Sequence, residues 1–147
     1  MSANSYVRCW LHIVWSTLNQ KKILTENARV KLSRYLYTYA KEKGIFMKTN
    51  YVCPDHVHAL ISLPSNLTIE EIFHLLKGNS SHWINQQDLL KQKFAWDNEN
   101  GAFSVSHSKI TEVEAFIKEQ EQRHWKMTFH EEFQLLLQKH EFLISRK

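Results

Sequence analysis

The sequence predicts an α+β domain: an antiparallel sheet of four strands with helices packed on it. Three observations carry that expectation. Strand-like and helix-like stretches follow in the order β-α-β-β-α-α-β-α-α, and two strands adjoin directly, which points to the split βαβ or ferredoxin-like arrangement with helices on one face. Three glycines and two prolines are too few for the many tight turns of an all-β sandwich. A hydrophobic fraction of 43% over 147 residues suits a single domain, residues 1–147, with a buried core.

The elements can be justified in order. Residues 6–17 are rich in aromatic and β-branched side chains, and Cys9, Leu11, Ile13 and Trp15 alternate with Arg8, Trp10, His12 and Val14, as in a strand. His12 reads there as a packed residue hydrogen-bonded to a neighbour. After a polar turn at residues 19–22, Thr25 can cap a helix to about Lys43, with Ala28, Leu32, Tyr35, Leu36 and Tyr39 as its apolar stripe. Gly44 is a natural stop. Strands follow at residues 45–53 and 56–63. Thr68-Ile69-Glu70-Glu71 has the spacing of a capping box and should open a helix with Ile69, Ile72, Phe73 and Leu76 inward. Lys77-Gly78-Asn79-Ser80-Ser81 interrupts that stripe and predicts a break with exposed backbone donors, before a second short helix at residues 82–90. Residues 96–101 read as a turn and 102–107 as the fourth strand. Thr111-Glu112-Val113-Glu114 and Thr128-Phe129-His130-Glu131 are two further capping boxes, the first opening a helix through Glu121 and the second the last helix.

The most chemically suggestive stretch is Asp55-His56-Val57-His58. Side chains two apart on a strand share a face, so His56 and His58 point one way while Val57, Ala59 and Ile61 enter a core. Two imidazoles beside a carboxylate make half of a divalent-metal site. The same pattern also describes polar positions on a half-exposed strand. On the helix after Thr111, Phe116, Gln120 and His124 recur every four residues. If that helix packs beside the histidine strand, Gln120 can supply an oxygen ligand, with His124 as a lesser substitute. An ordinary buried stripe of Val113, Phe116 and Ile117 with Gln120 at its edge explains the same spacing.

Charge and cysteine content narrow the class. Residues 1–50 carry nine Lys/Arg against Glu26 and Glu42, which suits a polyanionic partner, although a solvated helix face with Arg29 and Arg34 off the apolar stripe would look alike. Two cysteines without a CxxC pair fit a reducing compartment. A leader pattern and a membrane-length apolar run are both missing, so the expectation is a soluble cytoplasmic protein without a membrane partner.

Four ordered blocks carry a resemblance: His12-Ile13-Val14-Trp15-Ser16-Thr17, Pro54-Asp55-His56-Val57-His58, Leu76-Lys77-Gly78-Asn79-Ser80-Ser81 and Gly101-Ala102-Phe103-Ser104-Val105-Ser106. The tail segments Gln120-Glu121-Gln122-Arg123-His124 and Thr128-Phe129-His130-Glu131-Glu132-Phe133 fit with them. The chain resembles the single-tyrosine HUH transposases of bacterial insertion sequences, including relatives associated with repetitive extragenic palindromes. The resemblance implies a ferredoxin-like or RRM-like HUH domain with a four- or five-stranded antiparallel sheet, working as a homodimer. It implies binding of hairpin ends, and cutting and rejoining of single-stranded DNA. It makes His56, His58 and Gln120 the ligands of Mg²⁺ or Mn²⁺, which would polarise the scissile phosphate. The nucleic-acid candidates come from the residues themselves: Lys77, Gly78, Asn79, Ser80 and Ser81, whose exposed backbone donors could hold a phosphate, with Arg29 and Arg34 of the basic first third.

The chain departs from that pattern at the nucleophile. The family's attacking tyrosine, which leaves a 5′-phosphotyrosine and a free 3′-hydroxyl, stands four residues before the glutamine; here that residue is Phe116. Asn100 also replaces the aromatic often found before the Gly-Ala-Phe-Ser-Val block. Three readings follow: a deliberate Tyr→Phe change, a natural copy that binds DNA or RNA hairpins as a regulator without cutting, or substitution by Tyr35, Tyr37, Tyr39 or Tyr51. A metal-stabilised structural domain without nucleic-acid function is a further alternative.

Overall fold

The computed structural model describes residues 6–120 and 127–142. Strands β1 (Trp10–Thr17), β2 (Phe46–Val52), β3 (His56–Ser62) and β4 (Trp96–Val105) form one antiparallel sheet in the order β2-β3-β1-β4. Helices α1 (Glu26–Glu42), α2 (Ile69–Gln86), α3 (Ile110–Lys118) and α4 (Phe129–Lys139) pack against it. The α+β fold with an antiparallel four-stranded sheet is the one the sequence predicted.

Helices cover both faces of the sheet, which corrects the expectation of one covered face. Leu11, Ile13, Trp15, Val57, Ala59 and Ile61 pack beneath Leu32 and Leu36 of α1 and Leu76 of α2. On the opposite face Trp10 and Leu60 meet Ile110 and Ile117 of α3, while Val14 and Phe103 meet Phe129 of α4. Every residue of β1 and β3 is consequently buried. Each fully buried aliphatic side chain contributes roughly 1.5–3 kcal/mol of transfer free energy. His12, which reads from the sequence as a packed residue, and His56 and His58, which would also suit a half-exposed strand, all lie buried beneath α3 and α4.

Local chemistry explains the helix ends. Thr25 accepts from the Ala28 amide, and Thr68 and Thr128 form complete capping boxes with Glu71 and Glu131. Gly44 adopts φ 76°, the left-handed conformation that ends α1 at little steric cost. The capping box expected at Thr111 is not formed. A single 3₁₀ turn, His107–Lys109, feeds straight into α3, leaving Thr111 inside the helix, while Glu114 lies 3.8 Å from Lys48 and 3.4 Å from Lys118. α3 itself ends at Lys118, short of Glu121.

Two further expectations are corrected. α2 runs unbroken from Ile69 to Gln86, so Lys77-Gly78-Asn79-Ser80-Ser81 is helix interior and the separate helix at residues 82–90 does not exist. Side chains there bond back onto the preceding turn: Ser80 Oγ donates to the Lys77 carbonyl (3.2 Å), Ser81 Oγ to Gly78 (3.1 Å) and Asn79 Nδ2 to Leu75 (3.0 Å). The supposed turn at residues 96–101 belongs to β4. Trp96 buries its ring edge-on against Trp15 at 5.8 Å and donates its indole N–H to Ser80 Oγ at 2.9 Å, and Lys77 Nζ donates to the Asp97 carbonyl at 2.7 Å and to Asn100 Oδ1. These ties hold a polar stretch extended.

Gly101 is required by crowding. It pairs with Val14 on the face toward α4, where a Cβ would stand 2.7 Å from Phe133 and 2.9 Å from Phe103. Gly101→Ala is therefore expected to destabilise the domain by about 1–3 kcal/mol, the usual cost of overpacking, as a lower urea midpoint with unchanged slope. An unchanged midpoint would mean that the two rings move aside freely.

Candidate metal centre

β3 delivers His56 and His58 to the face covered by α3 and α4, and the first turn of α4 brings Glu132 down onto them. Glu132 Oε1 lies 2.9 Å from His58 Nε2 and 3.6 Å from His56 Nε2. The metal-capable atoms of these three buried residues all fall within 4.8 Å of one another. Behind each imidazole stands a second partner. Asp55 Oδ1 accepts from His56 Nδ1 at 2.6 Å, and His12 Nε2 lies 2.8 Å from His58 Nδ1. His12 pairs with Leu60 across β1 and β3, so it is the diagonal neighbour of His58 on one face. It is a packed strand residue bonded to a neighbour, as its sequence context suggested.

The electrostatics follow from this geometry. Burial favours the neutral form of Glu132, but hydrogen bonds from His56 and His58 outweigh it and hold the carboxyl well below the usual carboxylate range. Burial alone would depress His56; its hydrogen bonds, chiefly with Asp55, raise it well above the ordinary imidazole value. His12 is driven well below that value, first by burial and then by its proximity to His58. The pocket thus combines an ionised carboxylate, one imidazole that readily carries a proton and one held neutral.

The other predicted residues divide into two groups. Phe116 is brought to the centre: its ring stands edge-on to His58 at 5.7 Å and to His12 at 5.8 Å. Gln120, two residues past the end of α3, is fully buried; its amide N–H donates to the Phe116 carbonyl at 3.3 Å, and its Oε1 has no hydrogen-bond partner among the described residues. Two imidazoles and a carboxylate within reach of one another are a donor set that suits a divalent cation, and a buried carbonyl oxygen left without a partner one turn past Phe116 is an atom that calls for one. His124 lies outside the described residues. Beside the cluster opens a cleft of about 930 Å³, lined by His12, Phe103, Phe116, Glu132, Leu136 and His140 among others.

Arg29 and Arg34, on α1, and the Lys77–Ser81 stretch of α2 belong to the opposite layer of the sheet and are not brought to the histidines. Arg34 is exposed, Arg29 half-buried and Ser80 fully buried. Of the tyrosines weighed as substitutes, Tyr35 and Tyr39 stack on each other at 5.7 Å in that same layer, and the Tyr37 hydroxyl accepts from the Asn50 amide at 3.0 Å. Tyr51, directly opposite His58 across β2 and β3, packs on the histidine face.

Sequence reasoning missed Glu132 as a site residue. One signal was available: positions 129, 132, 133 and 136 form the inward stripe of the last helix, and an acidic residue stands among Phe129, Phe133 and Leu136. A charge on a buried stripe requires a partner.

Comparison with known proteins agrees with this architecture. Residues 5–120 match the family described as "Transposase IS200 like". The ISDra2 transposase TnpA of Deinococcus radiodurans is 25% identical over 114 residues, covering 74% of this chain and 81% of that protein. A transposase crystal structure from Deinococcus radiodurans R1 superposes with a TM-score of 0.65 at 22% identity, over 82% of this chain and 96% of that one. A REP-associated tyrosine transposase bound to a REP hairpin superposes with a TM-score of 0.62 at 13% identity, covering 84% and 73%. Among the described residues no helix is long and apolar enough to cross a membrane.

Proposed function

The chain belongs to the IS200-like transposase family, and from that premise we propose that it binds single-stranded DNA hairpins and holds Mg²⁺ or Mn²⁺ on His56, His58 and oxygen atoms from Glu132 and Gln120. The buried His56–His58–Glu132 cluster, with each imidazole backed by its own partner, is the observation that supports this reading. When bound, such a cation polarises a phosphodiester and withdraws charge from its oxygens. Asp55 fixes the His56 ring with Nε2 toward the cluster, and the Phe116 ring closes one side of it. Phenylalanine has no hydroxyl to attack phosphorus, so this chain binds without cutting. Its hairpin contacts would come from Arg29, Arg34 and the exposed Gly78 and Asn79 in the α1–α2 layer, and its working form is a homodimer.

A second reading from another class is a regulator that uses hairpin DNA or RNA binding alone, and Phe116 is the observation that favours it. One experiment separates the two: titrate Mn²⁺ and a labelled hairpin separately into wild type and into His56→Ala/His58→Ala. The metal-centre reading expects Mn²⁺ uptake in wild type and its loss in the double variant. Hairpin binding should be salt-sensitive, with a slope of log K against log salt of about −0.7 per neutralised phosphate of a single strand. Hairpin binding without Mn²⁺ uptake by wild type would favour the regulator; uptake of neither would overturn both.

A further inference from the structure

We propose that His12 is the positioning residue of the metal centre, selecting the tautomer in which His58 can act as a ligand. The proposal rests on the reading of His56 and His58 as metal ligands. A carboxylate only accepts hydrogen bonds, so with Glu132 ionised and 2.9 Å away, the metal-free His58 carries a proton on Nε2. In a neutral ring Nδ1 then accepts, and the donor facing it is His12 Nε2–H at 2.8 Å. Ligation through Nε2 needs the reverse: a lone pair on Nε2 and a proton on Nδ1. That proton needs an acceptor in a buried place, and His12 Nε2 provides one once the His12 proton moves to Nδ1. Each ring keeps one proton throughout; only its seat changes, from Nε2 to Nδ1.

The strand geometry makes His12 suited to the task. It sits in mid-strand on β1, buried and diagonal to His58, with the rings of Phe103 and Phe116 edge-on at 6.3 Å and 5.8 Å. Those contacts restrict the imidazole from turning away. Asp55 serves His56 in the same manner, but as a carboxylate it accepts only; His12 can both give and receive. Ligand-orienting groups of this kind commonly change metal affinity 10–100-fold when removed.

The test compares wild type, His12→Phe and His12→Gln by Mn²⁺ calorimetry, with circular dichroism to confirm folding. Glutamine keeps an acceptor oxygen where His12 Nε2 stands; phenylalanine keeps bulk without one. His12→Phe is expected to bind Mn²⁺ about 10–100-fold more weakly, and His12→Gln to recover most of the loss. An independent arm uses imidazole ¹⁵N–¹H correlation spectra of wild type, in which added Mg²⁺ should move the His58 proton from Nε2 to Nδ1. Wild-type affinity in His12→Phe, equal losses in both variants, or a His58 proton that stays on Nε2 in the Mg²⁺-loaded protein would overturn the role of His12 while leaving the metal centre standing. No Mn²⁺ uptake by wild type would remove the metal centre, and this role with it.

Discussion

Phe116→Tyr is expected to retain labelled DNA through denaturing electrophoresis in the presence of Mn²⁺, under conditions where wild type is expected to give no covalent product. The argument is positional. The Phe116 ring already stands edge-on to His58 at 5.7 Å, one turn before the orphaned Gln120 oxygen, so the change adds only the missing hydroxyl. A tyrosine oxygen attacking phosphorus forms the phosphotyrosine bond as the bond to the 3′-oxygen breaks, leaving a 3′-hydroxyl. The expected effect is from nothing to a discrete adduct on hairpin ends, abolished by EDTA. No adduct on any cognate end, in a protein shown to bind Mn²⁺, would take position 116 out of the chemistry. An adduct already formed by wild type, and lost in Tyr51→Phe, would move the nucleophile to Tyr51, which faces the same histidines.

The second large effect concerns stability. Glu132→Leu in EDTA is expected to cost on the order of 3 kcal/mol, because it removes the carboxylate that His58 bonds at 2.9 Å and the negative charge 3.6 Å from His56, both rings being buried. The cost depends on pH in a definite sense. Glu132 has its folded pKa below the ordinary value of 4.5, so its contribution is present above pH 4.5 and is lost as pH falls toward the folded value. His56 has its folded pKa raised above 6.5, so its contribution is complete below pH 6.5 and is lost as pH rises through the folded value. The penalty should therefore be greatest between about pH 4.5 and 6.5 and shrink on either side. Urea midpoints of wild type and Glu132→Leu across pH 3–9 read this directly; a constant difference would mean the carboxylate acts only through packing.

Much of this arrangement was legible in the residues, and the gaps have physical causes. Alternation along β1 and β3 marked both strands, and three of the four proposed side-chain caps formed, because hydroxyl capping is a short-range interaction that needs no tertiary knowledge. The break at Gly78 failed because one glycine costs only about 1 kcal/mol in a helix, less than burying Leu76 and Ile84 on one continuous face returns. The turn at residues 96–101 failed because ties from α2, Lys77 to Asp97 and Ser80 to Trp96, hold a polar strand edge. His56 and His58 were found from spacing two. Glu132 was not, since its pairing with them spans 74 residues of sequence and depends on α4 crossing back over the sheet.

The single carboxylate oxygen lying near both imidazoles also fastens the last helix to the sheet. A cation held by His56 and His58, as proposed, would either share that oxygen or displace it. Sharing would clamp α4 to β3 more firmly; displacement would unpin the helix at its first turn, leaving Phe129 and its aromatic neighbours to hold it. Coordination and helix docking are thus one choice. Amide-exchange protection along α4, rising or falling as Mn²⁺ is added, reveals which way the molecule takes it.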